Sequence, residues 1–170
     1  MTSNEEQPDF SRPSKDEIFL EIALVISRRG TCTRTQQGAV LVDSHGFVIS
    51  LGYNGSPAGM RHCEWDPVAK RSKIFCVKHH QCMCIHAEMN AIINAARHAS
   101  LRDDLVLYCT SSPCCECMKA CIQAGVKRVV YAEEYEDAFA KQLAREAGVE
   151  MVHLEHPRVA EGRRTYAKKV

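Results

Sequence analysis

Apolar residues recur along this chain in two rhythms, a helical one and an extended one. Ile18, Ile22 and Ile26, with Phe19 and Ala23, repeat at three- and four-residue intervals and predict a first helix running to about Arg29. Ser14 followed by Glu17 forms a capping box at its start, and Gly30 closes it. Leu20, Leu24 and Val25 add apolar positions on its other sides, which predicts a largely buried helix. Residues 38–42 and 47–51 flank Ser44-His45-Gly46 and predict a β-hairpin. A turn-rich run from Gly52 to Gly59 then opens an irregular stretch, 56–85, that is too long for an idle connection in a compact domain. Met89, Ile92, Ile93 and Ala96 mark a helix from His86 to about His98. The rest alternates: a short strand at 105–108, a helix from Cys114 stopped by Gly125, a strand at 126–131, a helix at 135–147 ended by Gly148, and a last strand at 149–154. Strands alternating with helices predict an α/β fold, a three-layer α/β/α sandwich whose mixed sheet is covered on both faces.

Length and charge narrow the picture. A chain of 170 residues makes one domain, read here as 14–154 between a polar, acidic leader (1–13) and a basic tail (155–170). Ten cysteines are many, yet too few for a small disulfide scaffold, and no apolar signal core stands behind the N-terminus. These features point to a reducing cytoplasm, where clustered cysteines hold metal more often than they form disulfides. The net charge is +1 and no apolar run reaches membrane-spanning length. A protein that grips a polynucleotide shows a clear positive excess. The one basic cluster, Arg158, Arg163, Arg164, Lys168 and Lys169, sits in the tail and reads as a solvated surface. A small-molecule substrate is expected, with no nucleic-acid or membrane partner.

The candidate chemistry lies in His86-Ala87-Glu88 and Pro113-Cys114-Cys115-Glu116-Cys117. Cys114 and Cys117, three apart, share one face if they occupy the first turn of a helix, and Pro113 suits such a start. The positive end of a helix favours the thiolates that zinc requires. His86 adds a neutral third ligand, and three protein ligands leave the fourth tetrahedral position to water, the mark of a catalytic site. Zinc lowers the pKa of that water from about 15.7 to roughly 7. Glu88 can face the same centre only if His86 sits at the helix tip, and a carboxylate there can shuttle a proton. Alone, a Cys-x-x-Cys is often redox or structural, and a His-x-Glu is usually helix surface. Joined in this order they form the H-x-E…P-C-x-x-C pattern of zinc-dependent nucleobase deaminases.

More of the chain carries a narrower resemblance. Gly52-Tyr53-Asn54-Gly55-Ser56-Pro57-Ala58-Gly59, His62-Cys63, His86-Ala87-Glu88-Met89-Asn90-Ala91-Ile92, Pro113-Cys114-Cys115-Glu116-Cys117, Ile122-Gln123-Ala124-Gly125-Val126 and Ala147-Gly148-Val149 resemble the deoxycytidylate (dCMP) deaminases of the cytidine deaminase superfamily, over about residues 15–154. The resemblance implies the cytidine-deaminase fold and hydrolysis of dCMP to dUMP and ammonia, which feeds thymidylate synthesis. It assigns Glu88 as the catalytic acid–base, His86, Cys114 and Cys117 as ligands of the catalytic zinc, and Asn54 and the Ala87 backbone as substrate contacts. It implies a homo-oligomer, hexameric in many members, activated by dCTP and inhibited by dTTP. Some members carry a second, structural zinc, whose ligand places correspond here to Cys32, Cys63, Cys76 and Cys84, with His80 and Cys82 in reserve. Such a closed site would order the irregular stretch directly; the plainer alternative is reduced cysteines packed as small hydrophobes. The substrate phosphate needs cationic or N–H donors, and Arg34, Arg97 and Lys119 lie close to motif residues. Two other readings compete. A tRNA adenosine or polynucleotide deaminase is disfavoured by the weak charge and the Gly-Tyr-Asn-Gly loop. A non-catalytic zinc-binding module would leave Glu88 without a purpose.

Overall fold

The computed structural model describes residues 12–63, 65–66, 71–72, 82–98 and 104–156. The leader up to residue 11, the tail beyond 156, and Cys76 and His80 lie outside the described residues. The first helix, α1 (Lys15–Ser27), starts with the capping box read from sequence: Glu17 N–H donates to Ser14 Oγ (3.2 Å) and Ser14 N–H donates to Glu17 Oε2 (2.7 Å). Five strands, β1 (Gly38–Val42), β2 (Val48–Tyr53), β5 (Leu105–Ser111), β6 (Val126–Glu133) and β7 (Glu150–His153), form one sheet in the order β2-β1-β5-β6-β7. The β1–β2 and β1–β5 pairs are antiparallel, whereas β5–β6 and β6–β7 are parallel, so the sheet is mixed as expected. Inside the stretch read as irregular, β3 (Trp65–Asp66) and β4 (Arg71–Ser72) pair as a short antiparallel ribbon.

Alternation along the strands sorts the side chains into two layers. Ala39, Leu41, Leu105, Leu107, Val129 and Tyr131 belong to the larger core, together with α2 (Ala87–His98), α3 (Cys115–Gln123) and α4 (Ala138–Glu146). Their strand neighbours Val40, Val42, Tyr108 and Val130 pack on the other face, against Phe19, Ile22 and Ala23 of α1. Because α1 has that face largely to itself, it buries one side only. Val25 is 63% exposed and Ile18 is also exposed, which corrects the expectation of a largely buried helix. Its N-terminal turn is anchored at a distance: Asp16 accepts a bidentate pair of hydrogen bonds from Arg128 of β6 (2.9 and 2.7 Å) and a third from the Tyr108 hydroxyl (2.8 Å).

Boundaries differ from the sequence reading where polar residues continue a strand. β5 runs three residues past the predicted end because Cys109 pairs with Ala39 and Tyr131 on its two sides, and Ser111 pairs with Glu133. β2 takes in Gly52 and Tyr53, which sequence placed in the loop, because they pair with Ala39 and Gly38. α4 begins only after Asp137, whose side chain caps it by accepting from Ala140 N–H (3.0 Å).

Two glycines set how closely the layers approach. A Cβ on Gly38 would overlap the Ala23 carbonyl of α1, and one on Gly52 would overlap the Ala87 carbonyl and Ala91 N–H of α2. Both obstacles are backbone and cannot step aside as a side chain would. Gly52→Ala is therefore expected to cost about 2–3 kcal/mol, lowering the melting temperature by roughly 4–12 °C. Calorimetry of the purified variant checks this, and an unchanged transition would mean that α2 does not sit so close.

Candidate active site

The site lies at the carboxyl ends of β5 and β6, where helices begin. His86 immediately precedes α2, so it occupies the helix tip as its partnership with Glu88 requires. The neighbouring Ile85 is held by paired backbone hydrogen bonds with Gly55 (2.8 and 3.1 Å), which tie the ligand to the loop after β2. Cys117 lies in the first turn of α3, but Cys114 is the N-cap in extended conformation. The helix therefore starts one residue later than the Cys114 start that the spacing predicted, with the Cys114 sulfur turned across to His86.

Three donor atoms converge. His86 Nδ1 and the sulfurs of Cys114 and Cys117 all lie within 4.8 Å of one another, the one such set among the described residues. Zinc bonds of about 2.3 Å to sulfur and 2.0–2.1 Å to nitrogen at a tetrahedral angle set the donors about 3.5 Å apart. Each sulfur lies 3.5 Å from Nδ1, so the residues present fit the ion. The electrostatics agree. Hydrogen bonds from Cys117 and His86 hold the Cys114 thiol down to about 4, while Cys117, sharing its proton with that thiolate and buried, is pushed up. The thiolate in turn raises His86 to about 9. The three groups thus share protons among themselves, and a metal cation would take the place of those protons on the sulfurs and the ring nitrogen. Glu88, in the first turn of α2, is only 7% exposed. Burial pushes its carboxyl up to about 7, with His86 pulling the other way; a bound dication would pull it further down.

A cavity of about 170 Å³ opens beside these groups, bordered by Glu88, Ala87, Asn54, Gln37, Arg34 and Tyr135 among others. Of the three cations considered for a phosphate, Arg34 lines it. Lys119 instead pairs with Glu116 (2.8 Å), and Arg97 sits in the last turn of α2, at the far end from His86. Asn54 is buried in the wall, accepting from Gln37 N–H (2.9 Å) and donating to the Thr35 carbonyl (2.8 Å). Gln37 carries the network on: its Oε1 accepts from the Thr110 hydroxyl and its Nε2 donates to Thr35 Oγ1 (3.2 Å). Sequence reasoning missed Gln37, Thr110 and Tyr135 as wall residues. No local pattern marks them, since Gln37 and Thr110 meet across 73 positions.

The second cysteine group is partly assembled. Cys63 and Cys84 sulfurs are 3.5 Å apart, and Cys84 N–H donates to Cys82 Sγ (3.4 Å). A hydrogen bond from Cys84 holds the Cys32 thiol down to about 5.

Comparison with known proteins agrees with this geometry. The family described as the cytidine and deoxycytidylate deaminase zinc-binding region matches residues 13–133. The deoxycytidylate deaminase of Schizosaccharomyces pombe is 36% identical over 147 residues, 85% of this chain, which spans 45% of that enzyme's length. The deoxycytidylate deaminase of Enterobacteria phage T4 is 32% identical over 174 residues, covering 82% of this chain and 90% of the phage protein. Among solved structures, the dCMP deaminase of cyanophage S-TIM5 in complex with dCMP and dUMP superposes with a TM-score of 0.70 at 30% identity, over 85% of this chain and 99% of that one. With that family match and these relatives, the chain belongs to the cytidine and deoxycytidylate deaminase family.

Proposed function

We propose that this chain is a zinc-dependent deaminase that hydrolyses dCMP to dUMP and ammonia and so supplies dUMP for thymidylate synthesis. The observation that carries the reading is a buried carboxylate, Glu88, beside a three-donor set that borders an open cavity. A structural zinc would be closed by a fourth protein ligand and would need no such neighbour. His86 Nδ1, Cys114 and Cys117 would hold a zinc ion, which when bound would supply a water acidified to a pKa of roughly 7. Glu88 would take one proton from the attacking water and pass it to ring N3 as the C4–O bond forms, then carry the second proton, from the new C4 hydroxyl, to the amine as the C4–N bond breaks and ammonia leaves. Its buried position keeps the carboxylate desolvated and aimed at these atoms.

Recognition divides among the wall residues. The Ala87 backbone, at the positive tip of α2, meets the polar edge of the base. Asn54, with its amide already fixed by Thr35 and Gln37, presents a preset edge to the sugar. Arg34 meets the phosphate through charge-assisted hydrogen bonds. The dCMP and dUMP bound by the cyanophage relative support this substrate class.

A second, structural zinc held by Cys32, Cys63, Cys76 and Cys84, with His80 and Cys82 in reserve, is part of the proposal. Sulfurs sharing a tetrahedral zinc lie about 3.8 Å apart, and the 3.5 Å between Cys63 and Cys84 supports it. That ion would tie the loop after β2 to the approach to α2, and with them Asn54 to Glu88.

Glu88→Gln is expected to retain the catalytic zinc while kcat falls about 10²–10⁴-fold; near-normal turnover in a folded, zinc-loaded variant would sink the assignment. Steady-state kinetics with dCMP, deoxycytidine and cytidine test the substrate. dCMP should be strongly preferred, and Arg34→Ala should lose about 10–100-fold in kcat/KM on dCMP while leaving deoxycytidine unchanged. Equal efficiency on nucleoside and nucleotide would exclude a phosphate site. Metal analysis should find about two zinc ions per chain, falling to about one in Cys63→Ser; a single zinc in the unmutated protein, with Cys63 open to alkylation, would remove the structural site.

A further inference from the structure

A helix N-cap ordinarily uses its own side chain to satisfy a first-turn N–H. Cys114 occupies that position at α3 but makes no capping bond, since its sulfur faces His86 Nδ1 at 3.5 Å. With the sulfur turned to the metal donors, Cys114 leaves the cap without a hydrogen bond from its own side chain. The missing acceptor is supplied from another element: Asp137 Oδ2 accepts from the Cys115 N–H at 2.8 Å, while its Oδ1 caps α4 by accepting from Ala140 N–H at 3.0 Å. A single carboxylate therefore serves two helix starts, and one of them carries two of the three metal donors.

The other side of Cys114 is tied to the same turn. Ser112 N–H donates to the Glu133 carbonyl (2.9 Å), Tyr135 N–H donates to Ser112 Oγ (2.7 Å), and that hydroxyl donates to the Tyr135 carbonyl (3.2 Å). Between the anchors at Ser112 and Cys115 only Pro113 and Cys114 remain, and proline fixes one of the backbone torsions. The turn between β6 and α4 thus clamps the peptide on both sides of the ligand.

We propose that Asp137 is a positioning residue for the catalytic zinc: through the Cys115 N–H it holds Cys114 Sγ at binding distance from His86, a task separable from its capping of α4. Partners in the outer shell of a metal site typically contribute 10–100-fold to metal affinity. The inference rests on the ligand set of the proposed function.

Asp137→Ser separates the two tasks. A serine hydroxyl at this position still caps α4, yet it has no second oxygen to reach Cys115. The variants Asp137→Ser, Asp137→Ala and, as a remote control, Ser14→Ala at the cap of α1 are compared in the zinc-loaded protein. Melting temperature is read beside the rate of zinc release to a colorimetric chelator, counting the phase that Cys117→Ser abolishes. Asp137→Ser should melt above Asp137→Ala but release that zinc about 10-fold or more faster than the unmutated protein. Ser14→Ala should melt lower without faster release. Release from Asp137→Ser at the unmutated rate, or release rates that follow melting temperature across all three variants, would overturn the brace. Loss of no phase in Cys117→Ser would overturn the ligand set itself, a result distinct from equal release rates.

Discussion

Everything around the site answers to one constraint, that donor atoms from two separate helix tips must come within bonding reach of one point. A tolerance of a few tenths of an ångström on three atoms leaves little freedom to the elements that carry them. α2 must therefore lie against the sheet at a fixed depth, and the absent side chain of Gly52 sets that depth. α3 must start where β5 ends, and the parallel pairing of β5 with β6 brings the turn at residues 135–137 beside it.

The polar groups of the cavity follow a similar logic. Asn54, Gln37, Thr35 and Thr110 satisfy one another across β1, β2 and β5, so the wall is held before any substrate arrives. Fully paired buried amides and hydroxyls stiffen a pocket, whereas unpaired ones would cost free energy of order 1–3 kcal/mol each. Function and folding share these bonds. The hydrogen bonds that aim Asn54 into the cavity also fix the chain leading into β1, and the cap that starts α4 also steadies the loop of Cys114.

Charge links the site to stability as well. Cys114 is held as a thiolate by hydrogen bonds from Cys117 and His86, and it raises His86 in turn, so a cation that binds here must displace their protons. Because these donors meet only in the folded chain, the free energy of zinc binding becomes in part free energy of folding.

The elements and ligands legible from sequence depend on neighbours a few residues away. Helical spacing of Ile18, Ile22 and Ile26, the Ser14–Glu17 box and the Cys114–Cys117 pair all act within about one turn, and local order reveals them. His86 at the tip of a helix followed from its need to share a centre with Glu88. What sequence could not decide rests on pairings between distant segments. The extension of β5 through Thr110 and Ser111 has no alternating signal because its partners, β1 and β6, supply the reason for it. The exposure of Val25 depended on how many elements share the α1 face of the sheet, and the exclusion of Arg97 and Lys119 from the cavity depended on where their helices point. Asp137 lies inside the helix predicted at 135–147; that it caps α4, with its second oxygen reaching Cys115 22 positions away, depends on β5 and β6 running side by side. Periodicity and caps are local properties of a chain, while the distance between two helix tips is a property of the packed sheet.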